Sequence, residues 1–369
     1  MRPRPARLDR LPEQYFTRLL ARVAEEAARE GEPLVDLGRG NPDVPAPAHV
    51  VETLERAARD PRTHGYAPFA GLPELKEAIA ERYARVYGVD LDPAREVAVV
   101  PGTKTALCEF ALCVAAHGEA IVLPDPGYPD YRSAVALAGA REVPVGDLAE
   151  APKENVAALY LNYPSNPTAA AAPSDAFPEA VEYAERTRAA ILHDFAYADL
   201  VFDGRRPASF LAAPGAKEVG LELFSMSKSY GMAGWRLGFA LGSTELVRRL
   251  ELLADHVRAG IFAPVQRAGL AALTGPQETV QERRALYETR RDRVLELVPE
   301  ARSEGTFFVW FRLPDHLTAE RLLVEHRVAV APGEGFGARG AGHARISLAV
   351  PDETLDEGLR RLAAALREP

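Results

Sequence analysis

The chain has 369 residues, enough for two domains with sizeable cores. Its apolar content of 47% fits a folded globular protein and excludes global disorder. A net charge of −9 gives no basis for broad nucleic-acid binding, although a local basic pocket is compatible with it.

The first stretch, MRPRPARLDRLPEQYF, carries Arg2, Arg4, Arg7 and Arg10 among prolines and has no apolar core of a signal peptide, so it is expected to be a solvated arm. Residues 13–30 show helical spacing at Phe16, Leu19, Leu20 and Val23, ended by Gly31. Residues 34–45, LVDLGRGNPDVP, turn from apolar to Gly, Asn, Asp and Pro, an extended segment entering a loop. Helices are predicted over 48–59 and again from Leu72, where Leu75, Ile79 and Tyr83 form an apolar stripe.

From residue 97 the period switches repeatedly. Short strands are predicted at 97–102, 120–125, 156–163, 189–194, 221–225 and 237–242. Helices are predicted from Thr103 through Ala116 and over 175–188. This alternation predicts an α/β fold with a mostly parallel central sheet, whose strand-end loops are its usual functional positions. Those loops carry Gly102, Thr103, Lys104, Tyr128, Asn166, Asp194, Tyr197 and Lys228.

A helical tract over 243–296 is broken near 260–264 and 274–276. Strands are then expected at 305–312, 327–336 and 343–350, with helices at 318–326 and 351–367. Together they predict a smaller α+β domain of 1–45 plus 273–369, beside a large domain of 46–272.

Cys108 and Cys113 lie five residues apart in one helical run, poorly placed to share a face. They are expected to be buried free thiols in a reducing, cytoplasmic setting. The eight histidines form no H-E-x-x-H pattern and no C-x-x-C exists, so no metal site is expected. No apolar run of about 20 residues predicts a membrane span. The glycine fingerprint of a dinucleotide site, the phosphate loop and the G-x-S-x-G elbow are all missing.

The stretch 222–242, ELFSMSKSYGMAGWRLGFALG, places Lys228 on a predicted loop, eight residues before Arg236. Lys228 could be an amine nucleophile that forms a Schiff base, or the lysine of a Ser225-x-x-Lys228 acyl-transfer pair, or a surface lysine near a turn. The acyl-transfer reading lacks its companion S-D-N and K-T-G motifs and leaves Asp194, Asn166 and Arg236 without work.

Several segments, in order, carry a resemblance. They are DLGRGNPD, GYAPFAGLPEL, PDPGYPDY, NYPSNPT, HDFAYADL, SMSKSYGMAGWRLGF and HARISLAV. The chain resembles the class I/II aminotransferases, fold-type I pyridoxal-phosphate enzymes of the aspartate aminotransferase superfamily. The resemblance spans nearly the whole chain. It implies pyridoxal 5′-phosphate as cofactor and ping-pong transfer of an α-amino group from an amino acid to a 2-oxo acid. Glutamate and 2-oxoglutarate are implied as one pair, and aspartate- or diaminopimelate-type substrates are among those implied.

By the same resemblance, Lys228 would hold the cofactor as an internal aldimine and shuttle the proton. Asp194 would pair with the pyridine nitrogen, and Asn166 and Tyr197 would donate to the 3′-oxygen. Tyr128 would stack on the ring. Gly102, Thr103, Lys104, Ser225 and Arg236 would form the phosphate site, with Tyr66 reaching in from the partner subunit of a homodimer. Arg345, with Gly38 and Asn166, would clamp the substrate α-carboxylate, and Asn41 is a further neighbour. Two features depart from the pattern. Ala169 and Ala170 follow PSNPT where glycine is frequent, and no second arginine for a substrate side-chain carboxylate is identified. The same scaffold also supports β-elimination from a sulfur amino acid, or a silent cofactor-binding module.

Overall fold

The structure is a computed structural model and describes residues 6–368; Arg2 and Arg4 of the expected arm lie outside the described residues. A short strand β1 (Val35–Asp36) precedes the main sheet. That sheet contains β2 (Val97–Val100), β3 (Ala120–Pro124), β4 (Arg141–Val145), β5 (Val156–Leu161), β6 (Ala190–Phe195), β7 (Gly220–Ser225) and β8 (Gly238–Gly242). Its seven strands run in the order β2-β8-β7-β6-β5-β3-β4. All neighbours are parallel except β8, which is antiparallel to both β2 and β7.

The central strands read as largely apolar runs because both faces are covered. Alternate residues divide cleanly between two cores, as a period of two requires. Val97, Val99, Ile191, Phe195 and Phe224 belong to one, packed with Ile79 and Ala268 from helices Pro73–Tyr87 and Ala263–Thr274. Ala98, Val100, Leu192, Leu221 and Leu223 belong to the other, with Leu107, Tyr131 and Leu250. Helix Pro73–Tyr87 has proline in its first turn and ends at Gly88 with φ 69°. Both choices follow from the lone N–H that proline lacks and the left-handed turn glycine accepts.

A second region contains β9 (Phe308–Arg312), β10 (Val328–Ala329), β11 (Ala331–Pro332) and β12 (His343–Ser347). Strands β11, β12 and β9 form an antiparallel sheet in that order, and β1 pairs in parallel with β10. Helices Glu278–Leu297 and Asp352–Leu366 cover this region through Tyr287, Val294, Leu355 and Leu362. Helix Tyr15–Ala27 docks onto it, with Tyr15 against Trp310 and Phe336 and Val23 against Leu323.

The structure departs from the sequence expectations at three points. It adds helix Asp130–Ala138 and strand β4, which the sequence pattern does not predict. The strand REVPV is a partly exposed edge whose charges and proline dilute the apolar signal, and an edge is where proline is tolerated. Lys228 lies in a one-turn helix, Met226–Ser229, rather than on a loop. The cysteines are free but only half-buried. No described helix is long and apolar enough to cross a membrane.

Candidate active site

The sheet and the second region meet over the C-terminal ends of β5, β6 and β7, where parallel strands leave a crevice. One cavity there is lined by Gly38, Thr103, Lys104, Tyr128, Asn166, Asp194, Tyr197, Lys228 and Arg345. Nine residues singled out from the sequence therefore converge, from segments up to 307 positions apart.

Asp194 lies in the fully buried run Ile191–Phe195 that closes β6, and is 6% exposed. Its Oδ2 accepts a hydrogen bond from the Tyr131 hydroxyl at 2.9 Å. Its Oδ1 is buried without a hydrogen-bond partner among the described residues. Burial raises its pKa above the usual carboxylate range, while the Tyr131 hydroxyl pulls it back. An unsatisfied buried carboxylate oxygen is costly, and here it faces a cavity that can supply a donor.

Lys228 follows Ser225, whose Oγ caps the short helix by accepting from the Ser227 N–H at 3.2 Å. Its amine lies 5.1 Å from the Phe307 ring centroid. Burial, joined by the charges of Arg236 and Arg345, lowers the Lys228 pKa to about 8 against the opposing pull of Asp194. The neutral, nucleophilic amine is thus accessible near neutral pH.

Arg345 is 1% exposed on β12 and makes no ion pair with a carboxylate among the described residues. Its guanidinium donates to Asn166 Oδ1 at 2.6 Å and to the Gly38 carbonyl at 3.1 Å. The rings of Phe308 and Phe336 lie 3.8 and 4.8 Å from its Cζ. Burial pulls its pKa down to about 10. A desolvated planar cation lacking its usual counter-charge is suited to a bidentate carboxylate ligand.

Asn166 is itself positioned by its N–H donating to Asn162 Oδ1 at 2.7 Å, while Asn162 Nδ2 donates to the Asp194 carbonyl at 2.8 Å. Asn162 therefore ties two strand-end loops together. Tyr197 is buried against Phe307 and Phe308, and its pKa is raised by burial. Tyr128 is half-buried and its pKa is likewise raised, mainly by burial.

Gly102 precedes helix Thr103–Val114 with φ 80°, in the left-handed region. A Cβ there would meet Arg236 Nη2 at 2.1 Å, so glycine is what allows that guanidinium to lie over the helix start. Backbone amides, helix dipole and guanidinium then converge as an anion cradle. Lys104 points elsewhere in charge terms, pairing with Asp130 at 2.9 Å. Gly102, Ser225 and Arg236 border the cavity without lining it, and Tyr66 lies away from it, 89% exposed beside Phe69.

Residues not anticipated from the sequence also line the cavity. Phe16, Leu19 and Leu20 enter from helix Tyr15–Ala27, and Arg39, Leu107, Asn162 and Phe308 are also among its walls. Asn41, named as a neighbour, is among the lining residues. The Phe16–Leu20 spacing reads as core packing because a helical stripe does not reveal whether protein or ligand covers it. Tyr131 sits in a segment that reads as a turn.

Residues 32–362 match the family described as aminotransferase class I and II. The chain is 42% identical to the L-glutamine--4-(methylsulfanyl)-2-oxobutanoate aminotransferase of Bacillus subtilis (strain 168), covering 96% of this chain and 94% of the relative. It is 39% identical to the LL-diaminopimelate aminotransferase of Moorella thermoacetica, covering 98% and 97%. The substrate-bound BacF structure from Bacillus subtilis superposes with a TM-score of 0.92 at 36% identity, covering 99% of this chain and 98% of that one. With its sheet order and the convergent cavity, the chain belongs to the class I and II aminotransferases of fold-type I.

Proposed function

We propose that the chain is a pyridoxal 5′-phosphate-dependent aminotransferase that moves an α-amino group between an amino acid and a 2-oxo acid by a ping-pong cycle. The observation that carries this reading is the buried Arg345 guanidinium, without a carboxylate partner among the described residues, in one cavity with the Lys228 amine and the Asp194 oxygen that those residues leave unbonded. The relatives named above act on glutamine with 4-(methylsulfanyl)-2-oxobutanoate and on LL-diaminopimelate, which supports amino acids and 2-oxo acids as the substrate classes.

The residues present fit the cofactor. Bound there, pyridoxal 5′-phosphate would supply the electron sink that stabilises negative charge at the substrate Cα. Lys228 would hold it covalently and, once released, carry the proton to and from Cα. Asp194 Oδ1, otherwise unpartnered, would hold the proton on the ring nitrogen. Asn166 and Tyr197 would donate to the ring oxygen, and Tyr128 would cover one ring face. Gly102, Thr103, Ser225 and Arg236 would hold the phosphate, with Lys104 kept near by Asp130. Arg345, Asn166 and Gly38 would orient the substrate carboxylate.

The division into a large domain of 46–272 and a small domain of 1–45 plus 273–369 goes with this reading, and so does a cytoplasmic homodimer. The near-complete exposure of Tyr66 beside Phe69, which is 42% exposed, supports a partner subunit covering that aromatic patch and receiving the Tyr66 hydroxyl. Reconstitution with pyridoxal 5′-phosphate should give a visible absorbance band that Lys228→Ala lacks. A panel of amino acids should then convert the wild-type band in a half-reaction. Absence of the Lys228-dependent band, or no conversion by any amino acid, would sink the proposal.

A further inference from the structure

We infer that the distal part of this cavity is built for an uncharged, apolar amino-acid side chain, so that amino acids of the norleucine and phenylalanine class are preferred to aspartate and glutamate. The inference rests on the aminotransferase reading and narrows it.

Phe16, Leu19 and Leu20 project from helix Tyr15–Ala27 into the cavity that holds Lys228 and Arg345. Phe16 spans the two ends of that space. Its ring centroid is 5.6 Å from the Arg345 Cζ and 6.1 Å from the Tyr128 ring. A substrate gripped by Arg345 and presenting its amine to Lys228 therefore directs its side chain along Phe16. Leu20 lines the cavity and is 41% exposed, an apolar surface left uncovered among the described residues. Leu107 adds a further apolar wall.

The cations nearby do not offset this. Lys104 is already paired with Asp130, which is 3% exposed and also accepts a hydrogen bond from Gln14, the residue capping the same helix. That arrangement anchors the helix over the cavity and neutralises Lys104 in one stroke. Arg39 lines the cavity but is exposed, where water screens its attraction for a distal carboxylate. A second substrate carboxylate placed among Phe16, Leu19 and Leu20 would lose its hydration without gaining a buried cation.

The test compares half-reaction kcat/KM values of the holoenzyme for L-norleucine, L-phenylalanine, L-aspartate and L-glutamate. One methylene in an apolar pocket is worth about 10- to 200-fold, so a preference of at least about tenfold for the apolar pair is expected. Leu20→Arg, at a half-exposed position that tolerates charge, should shift the norleucine-to-aspartate ratio at least about tenfold toward aspartate. A binding readout independent of turnover is competition by 3-phenylpropionate against succinate, with the monoacid the tighter inhibitor. Preference of the wild-type enzyme for aspartate or glutamate, or a ratio unmoved by Leu20→Arg, would overturn the inference while leaving transamination intact. No conversion of any amino acid would instead remove the aminotransferase reading beneath it.

Discussion

Asp194 and Glu222 are buried carboxylates on adjacent strands, and they could hardly be treated more differently by the fold. In the β6–β7 register His193 opposes Glu222 and Asp194 opposes Leu223, so the two acids point to opposite faces of the sheet. Glu222 is 0% exposed and fully satisfied. Its oxygens accept from the Tyr83 hydroxyl at 2.7 Å, Ser209 Oγ at 2.7 Å and the Phe210 N–H at 2.6 Å, and His193 Nδ1 lies at 2.8 Å. Asp194 has one bonded oxygen and one orphan. A satisfied buried network fixes a unique core, whereas an unsatisfied one is tolerated where a ligand completes it. The pairing of Arg290 with Asp43 and Asp352 repeats the first pattern, and the carboxylate-free Arg345 repeats the second.

The largest expected effect is a split between activity and stability across this pair. Asp194→Ala should lower kcat/KM by about 10²–10³-fold or more, as for loss of a preorganised electrostatic group. Chemical denaturation of the apo form should show unchanged or increased stability, since an orphaned charge is removed. Glu222→Ala should do the reverse. It strands several buried donors and should cost about 3–5 kcal/mol, with activity per folded molecule little changed. If both substitutions damage stability equally, the distinction between the two acids fails.

Arg345→Met extends the comparison to the cations. Loss of a buried charge partner costs about 2–5 kcal/mol of transition-state binding, roughly 30- to 5,000-fold in kcat/KM. The apo protein should be no less stable, which urea titration would check. An equally inactive but strongly destabilised variant would place Arg345 with Arg290 as a structural cation.

Lys228 gives a pH signature. Its folded pKa of about 8 lies below the usual 10.5, so the unfolded state binds more protons between those values. Stability of the apo protein should therefore rise with pH across that window, and Lys228→Met should abolish this component. Cofactor capture should also accelerate up to about pH 8 and then level off as the neutral amine saturates. An apparent pKa near that of free lysine, read from absorbance rates, would contradict the burial argument.

The smallest effect belongs to Tyr131→Phe. Removing one hydrogen bond to a charged group corresponds to about 1.5–3 kcal/mol in general, roughly 10- to 150-fold in an equilibrium constant. Here it should move the Asp194 pKa upward, because the bond favours the ionised form. The pH profile of the half-reaction should shift while apo stability changes little.

Much of this site was legible in the chain itself. Strands β6 and β7 follow from short apolar runs, and their C-terminal ends held Asp194 and Lys228 in view. Segment order supplied the family resemblance and with it Asn166, Arg236 and Arg345. Apart from the resemblance, the local pattern could not rank Asp194 above Glu222, because both are single acids in apolar strands. Only strand register decides which face each one takes, and only the partners on that face decide whether it is satisfied. Tyr131 and β4 escaped for a related reason, since local turn and charge signals outweighed a weak apolar pattern.

What the sequence by itself determined is the set of local preferences: helix stripes, buried strands, the glycine at position 102 and the chemistry-bearing loops. Tertiary structure alone decided that Phe16, Leu19 and Leu20 share a cavity with Lys228 and that Arg345 meets Asn166 rather than a carboxylate. Local patterns set what a segment can bury. What it buries against depends on contacts between residues distant in sequence, 179 positions apart in the Asn166–Arg345 pair, which no short window contains.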